Sequence, residues 1–245
     1  MIRPGERQPV NYFVETQGKQ DGMNQAFYAV RECEDDICFT SDRGRIWCYQ
    51  KKSGEFRLHE LPTKARITSI HAVGNDNTVV TTDSDGFFLS NLKTNKHIHY
   101  SPVTCKELSD QPILSAYVDR TSEVWFEQEE PGVVVHFNPA TGVVKREQMR
   151  VEYSNADRSR PAFHIHEDIH GHVWVHPYGG GFSYFDRERN CLVPFYDDLG
   201  SNNWRFSNKI HAAFSDKQGN LWLCTHSKGL EKVTFRNVPF SMLIP

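Results

Sequence analysis

Two stretches of this chain repeat one another closely: "EDIHGHVWVHPYGGGF" at residues 167–182 and "SDKQGNLWLCTHSKGL" at 215–230. Around Trp222 stand Asp216 six residues before, Gly219 three before, Thr225 three after and Gly229 seven after. Trp174 repeats the frame with Asp168, Gly171 and Gly181, and places Pro177 at the threonine position. Trp125 repeats it with Asp119 and Gly132, while Ser122 and Gln128 replace the inner glycine and the threonine. Fainter copies hang on Val79, with Thr82 and Gly86, and on Ile37, with Thr40 and Gly44. The five anchors Ile37, Val79, Trp125, Trp174 and Trp222 stand 42, 46, 49 and 48 residues apart, and all five copies keep the late glycine.

Each part of the frame has a mechanical reading. In D-x-x-G the aspartate can bond backbone amides inside the turn, and the glycine supplies the positive φ that closes a hairpin. "NLWLCT" and "HVWVHP" then read as short apolar strands. The late glycine permits the next reversal, and the chain returns as "GLEKVTF", "GFSYFD", "GVVVHF", "GFFLSN" or "GRIWCY". A fourth short strand follows in such segments as "GEFRLHEL" and "CLVPFYDD". Four short antiparallel strands per unit of this length define a propeller blade. A lone blade cannot bury both faces of its sheet, so blades must stack, and each needs the same hairpin and the same packing anchor.

The expected fold is therefore an all-β propeller of about five four-stranded blades, near 27–61, 66–101, 111–151, 160–196 and 207–240. Most propellers close with six to eight blades, so an incomplete arc of a larger ring is expected. Residues 1–26 form an N-terminal segment that could belong to a preceding blade, and 241–245 would start a following one. The 245 residues carry a formal charge of −3, which gives nucleic acid no basic surface, and no direct nucleic-acid binding is expected. No stretch approaches the roughly 20 apolar residues of a membrane span. The opening "MIRPGERQPVNYFVE" lacks the apolar core of a secretory signal. Of the six cysteines, Cys33, Cys38 and Cys48 are close enough along the chain to pair, but buried thiols on strands are the favoured reading.

"DKQGNLWLCTHSKGLEKV" and "DIHGHVWVHPYGGGFSYFD" resemble the two-component regulator propeller repeat, approximately D-x-x-G-x-[IL]-W-[IVL]-[GC]-T-x-x-x-G-[IL]. "DDLGSNNWRFSNKIHAAFSD" is similar to the linker before the innermost strand of that repeat, and "FRNVPFSMLIP" to the handover between repeats. The resemblance is strong over 160–245, moderate over 111–150 and weak before that. It implies the periplasmic sensor region of a hybrid two-component regulator of the Bacteroides type, responding to an oligosaccharide released during polysaccharide breakdown. The partners it implies are that oligosaccharide, the remaining blades and downstream domains of a longer parent, and a homodimer. It implies no cofactor, and no catalytic activity in this segment.

Several constellations invite a chemical reading. "FHIHEDIHGHVWVH" carries His164, His166, His170, His172 and His176, residues of a type that binds zinc. The repeat frame supplies the plainer alternative, since His164 and His166 match Ala212 and Phe214, and His172 matches Asn220; no metal site is assigned. "YGGGF" lacks the lysine and helix start of a phosphate loop. No serine or cysteine nucleophile motif occurs. Propeller lyases and gluconolactonase-like hydrolases nonetheless use similar blades, and there His166 and Glu167 would be the acid/base candidates. A propeller serving only as a protein-interaction scaffold is the other alternative.

A sugar ligand would be held by an aromatic platform and polar or basic side chains. The loops between second and third strands carry Asp42, Arg43, Asp83, Asp85, Glu129, Tyr178, His226 and Lys228 onto one rim. The connections between blades add Arg158, Arg160, Asn203, Trp204 and Arg205 to it. The predicted ligand-binding set is Trp204, Arg205, Tyr178, Asn203, Arg160, His226 and Lys228, with Trp204, Arg205 and Tyr178 at its centre.

Overall fold

The computed structural model describes residues 26–33, 35–149, 164–177, 182–194, 210–225 and 229–234. Among the described residues there is no helix, and the strands form five antiparallel sheets, each in sequence order. The first sheet holds β1 (Ala29–Glu32), β2 (Asp36–Thr40), β3 (Arg45–Gln50) and β4 (Phe56–Glu60). The second holds β5 (Ile67–Ala72), β6 (Asn77–Thr82), β7 (Phe87–Asn91) and β8 (Lys96–Tyr100). The third holds β9 (Ile113–Val118), β10 (Val124–Gln128), β11 (Val133–Asn138) and β12 (Val143–Gln148). The fourth holds β13 (His164–Glu167), β14 (Val173–His176), β15 (Ser183–Asp186) and β16 (Cys191–Pro194). The fifth holds β17 (Ile210–Ser215), β18 (Leu221–Thr225) and β19 (Gly229–Val233). This is an all-β propeller segment.

The sheets touch through their first strands, β1 against β5, β5 against β9 and β13 against β17, which places those strands on the inside of the arc. In the third and fourth sheets the second and third strands β10, β11 and β14 are buried on both faces, whereas β19 in the fifth sheet is largely exposed. Fourth strands such as β4 and β8 stay largely exposed at the periphery. The alternation of a strand then assigns each residue to one neighbour or the other. Val124 and Phe126 look back to Val79 and Phe87. Trp125 and Val134 look forward to Val173, Val175 and Phe185. Cys38, Ile46 and Cys48 pack against Ile67, Ile70, Val80 and Phe88 in the same way.

Trp125, Trp174 and Trp222 occupy equivalent places on the second strands β10, β14 and β18, as the repeat register requires. Trp125 and Trp174 are buried. Trp222 is only half-buried: Phe214 and Leu230 on its face are exposed, and the Lys232 ammonium lies 5.2 Å from the ring centre.

The hairpin before each tryptophan is built alike. The amide of Asp119, Asp168 or Asp216 bonds the carbonyl four residues on, and the residue three on, Ser122, Gly171 or Gly219, returns its amide to the aspartate carbonyl. That returning residue has φ 65°, 89° and 81° respectively. Ser122 thus adopts the left-handed conformation that glycine takes in the other two copies.

The first sheet departs from the predicted frame by one residue. In β6 and β18 the threonine hydroxyl bonds the carbonyl of the late glycine, Thr82 to Gly86 at 2.8 Å and Thr225 to Gly229 at 3.0 Å. The first sheet makes that bond from Ser41 to Arg45, at 3.3 Å, so the threonine position is Ser41, not Thr40, and the anchor is Cys38, not Ile37. Gly44 is still required, since a Cβ there would lie 2.9 Å from the Leu61 and Thr63 carbonyl oxygens. The favoured reading of the cysteines is corrected as well. Cys38 and Cys48 face one another on β2 and β3 with Cα atoms 4.1 Å apart and form a disulfide; Cys33 stays outside the bridge. The bridge takes the place that Trp125 and His136, or Trp222 and Lys232, hold in other sheets.

Candidate functional site at the rim of the first strands

The predicted binding set Trp204, Arg205, Tyr178, Asn203, Arg160, His226 and Lys228 lies outside the described residues, as does Arg158. The other predicted rim residues can be placed. Asp83 accepts the backbone amide of Arg66 at 3.1 Å and pairs with its Nε at 3.3 Å. Asp85 accepts from the Thr63 hydroxyl at 2.6 Å and lies 3.1 Å from His99 Nε2. Asp42, Arg43 and Glu129 are exposed. Two rim residues that the sequence reading passed over complete the picture. The Arg66 guanidinium sits 5.0 Å above the ring of Tyr28, which is 44% exposed. The signal was an arginine directly before an inner strand, in "KARITS".

Local structure explains why these groups meet. Tyr28 leads into β1 and is tied by its amide to the Thr40 carbonyl at the end of β2. Arg66 leads into β5, and its carbonyl accepts the Asp83 amide at the end of β6. Between them the 41–44 turn is stitched to the connection by Gly44 N to Ala65 O and by Ile67 N to Ser41 O. Arg43 in that turn has φ 58°, a conformation uncommon for a side chain other than glycine or asparagine. Further along the inner wall, burial, aided by the charge of Arg31, pushes His71 down to about 4, so its imidazole is neutral near pH 7.

The acid/base candidates of the lyase-like reading have structural tasks. Glu167 pairs with Arg120 Nε at 2.6 Å and accepts its backbone amide at 2.9 Å, which joins the third sheet to the fourth. Arg120 also donates to the carbonyls of Asp168 and Ile169. His166 is hydrogen-bonded to Ser215 of the fifth sheet, and burial lowers its basicity against the pull of Asp168 and Glu167.

The histidine-rich hairpin resolves into repeat positions. His172 donates its amide and Nδ1 to Asp168, both at 3.0 Å, as Asn220 donates its amide and side chain to Asp216 at 2.9 and 2.8 Å. His164 stands opposite His176, and His166 opposite Trp174. Among the described residues no three histidine, cysteine or acidic side chains form a metal-binding group.

One link shows in the sequence only as a spacing of six residues. The aspartate of each hairpin also accepts the indole N–H six residues on: Asp119 from Trp125 at 3.0 Å, Asp168 from Trp174 at 3.0 Å and Asp216 from Trp222 at 2.9 Å. Burial would raise these carboxyls, yet the hydrogen bonds they accept hold all three below the usual range, Asp216 at about 2. In the third hairpin Glu123 occupies the place of His172 and Asn220; its amide donates to Asp119 at 3.0 Å as theirs do, but its side chain makes no bond to that aspartate. There Arg187 of the fourth sheet reaches across to bond Asp119 at 2.9 Å and Glu123 at 3.1 Å.

The fold and this recurring Asp–Trp hairpin define a repeat protein of the propeller class. Within it, the sequence profile of the two component regulator propeller family matches residues 205–227, a span that includes β17, the Asp216 turn and β18. No curated protein sequence matches the chain. Among solved structures, the extracellular domain described as that of hybrid two component system BT3049 from B. thetaiotaomicron is similar over 91% of this chain, with TM-score 0.59 and 16% identity. That of BT4673 from the same organism is similar over 91%, with TM-score 0.57 and 19% identity. This chain spans 29% of the length of each. A catalytically inactive virginiamycin B lyase from Staphylococcus aureus, solved with quinupristin, is similar over 91% of this chain and 73% of its own, with TM-score 0.57 and 12% identity. At these identities the likeness is one of fold.

Proposed function

We propose that this chain is a sensor segment, lying outside the cytoplasm, of a hybrid two-component regulator of polysaccharide utilisation, which binds an oligosaccharide or relays its binding to a downstream kinase. The observation that carries the reading is the family match at residues 205–227, on a hairpin whose aspartate–indole bond recurs in three sheets. The Cys38–Cys48 disulfide suits an oxidising compartment. In this reading the ligand meets the rim where blades connect, at Trp204, Arg205 and Tyr178, with Asn203, Arg160, His226 and Lys228 around them.

The chain itself performs no catalysis in this reading. The lyase-like alternative loses support because Glu167 and His166 are engaged in joining sheets. Calorimetric titration with neutral and acidic oligosaccharides, on this chain and on its longest natural parent, tests the proposal. Binding that weakens in Trp204→Ala or Arg205→Ala with the fold intact is the expected result. Absence of binding by both proteins overturns the ligand reading and favours a scaffold.

A further inference from the structure

The sensor reading leaves the chemistry of the ligand open, and the first two sheets narrow it. Arg66 is held in three ways. Its Nε is paired with Asp83, its own backbone amide donates to the same carboxylate, and its guanidinium lies over the Tyr28 ring. Asp83 is fixed in turn by its own amide bonded to the Arg66 carbonyl and by the Ser84 hydroxyl donating to Oδ1 at 3.0 Å. Among the described residues none accepts a hydrogen bond from Nη1 or Nη2 of Arg66. The free edge of the fork is therefore oriented in advance, on a side chain 45% exposed.

A guanidinium with one edge anchored and the other open matches the two oxygens of a carboxylate or sulfate, and its pre-organisation lowers the ordering cost of each bond formed. Its surroundings suit a sugar bearing such a group. Arg43, on the turn stitched to the chain beside Arg66, adds a second exposed cation, and the exposed edges of Phe27 and Tyr28 offer apolar surface to the C–H face of a ring. Asp42 and Asp83 keep the patch from being a general polyanion surface.

We propose that Arg66, locked by Asp83 and stacked on Tyr28, is the recognition point for the anionic group of an acidic sugar at the inner rim of the first two sheets. The proposal rests on the sensor reading for the ligand being a saccharide; the oxyanion chemistry rests on Arg66 itself.

The test is calorimetric titration of three probes matched in length: a uronate oligosaccharide, a sulfated oligosaccharide and a neutral one. Each is run against the unmodified chain and against Arg66→Gln, Arg66→Lys, Tyr28→Phe and Tyr28→Ala, with circular dichroism melts to verify folding. The unmodified chain binds an acidic probe at least about tenfold more tightly than the neutral one, and the uronate and sulfate arms identify which oxyanion fits. Arg66→Gln loses about tenfold or more on the acidic probe alone, Arg66→Lys recovers part, Tyr28→Phe changes little and Tyr28→Ala weakens binding. Equal binding of acidic and neutral probes, or an Arg66→Gln variant that binds the acidic probe normally, overturns the proposal while leaving the sensor reading standing. If no probe binds, this proposal falls, and if the wider oligosaccharide panel fails as well the sensor reading falls with it.

Discussion

Removing the Asp119 carboxylate probes the device on which the repeat depends. That side chain is almost fully buried and accepts five hydrogen bonds: from the Thr121 amide at 2.9 Å, the Thr121 hydroxyl at 2.7 Å, the Glu123 amide at 3.0 Å, the Trp125 indole at 3.0 Å and Arg187 at 2.9 Å. In Asp119→Ala the indole N–H of a fully buried tryptophan is left without an acceptor, at a cost of about 1–3 kcal/mol. Arg187 keeps Glu123 as a partner, so the lost charge pair adds less than the about 3–5 kcal/mol typical of stranding a buried ion. The expected total is about 3–5 kcal/mol. Trp125→Phe removes the N–H while retaining a ring against His136 and Phe185, and it serves as the second corner of a double-mutant cycle. Urea unfolding of the four proteins, followed by circular dichroism, should give a coupling of about 1–2 kcal/mol between the two sites. Hydrogen exchange at the Thr121 and Glu123 amides should accelerate in Asp119→Ala and not in Trp125→Phe. A coupling within about 0.5 kcal/mol of zero would refute the claim that the aspartate–indole bond unites turn and strand.

Three further outcomes follow from the geometry. Gly86→Ala would place a Cβ 2.1 Å from the Tyr100 carbonyl oxygen and should prevent folding of the second sheet, whereas Gly74→Ala, with open space around it, should cost only about 1 kcal/mol; comparable melting temperatures for the two would contradict this. Cys48→Ser or reduction should lower stability by about 2–3 kcal/mol for a bridge spanning 10 residues, measured by urea unfolding with and without reductant, and an unchanged midpoint would count against the bridge. Asp216 has its carboxyl lowered from 3.8 to about 2, so its contribution is complete above about 4 and is lost as pH falls through about 2. Asp216→Asn should therefore flatten the acid limb of stability across that window, and an identical acid limb in the variant would show that the carboxylate is not linked to folding.

The propeller was legible because its period is long and its punctuation is chemical: aspartate, glycine and tryptophan recur at fixed spacing whatever lies between them. The disulfide was not legible, and the reason is a single residue. A frame that sets Thr40 opposite Gly44 places Cys38 opposite Ile46; the observed pairing of Ser41 with Arg45 brings Cys38 to Cys48. Nothing local distinguishes these, because Thr40 and Ser41 are both hydroxyl residues before a turn. The aspartate–indole bond left a visible trace, a spacing of six residues in three copies, but its meaning needs the hairpin in three dimensions. Arg187 reaching Asp119 and Arg120 reaching Glu167 left none, since each crosses between sheets. Glu167 and His166, read as reactive candidates for their residue types, proved to be seams between blades. On the rim, weighing aromatic–basic neighbours along the chain favoured Trp204 and Arg205, while Tyr28 and Arg66 come together only because one sheet follows another.

Burial of β10, β11 and β14 on both faces has a cost for folding. In a strand with one wet face, a slip of one residue turns apolar side chains to water and is penalised at once. β10, β11 and β14 have a weaker safeguard, since buried apolar residues stand at both odd and even positions and either alignment hides them. Pattern alone therefore selects the pairing only weakly. For β10 against β9 and β14 against β13 the aspartate turn adds a selection: its carboxylate bonds the indole when the hairpin is in register, and a slipped pair leaves a buried carboxylate without that donor. A polar bond thereby proofreads an otherwise permissive zipper.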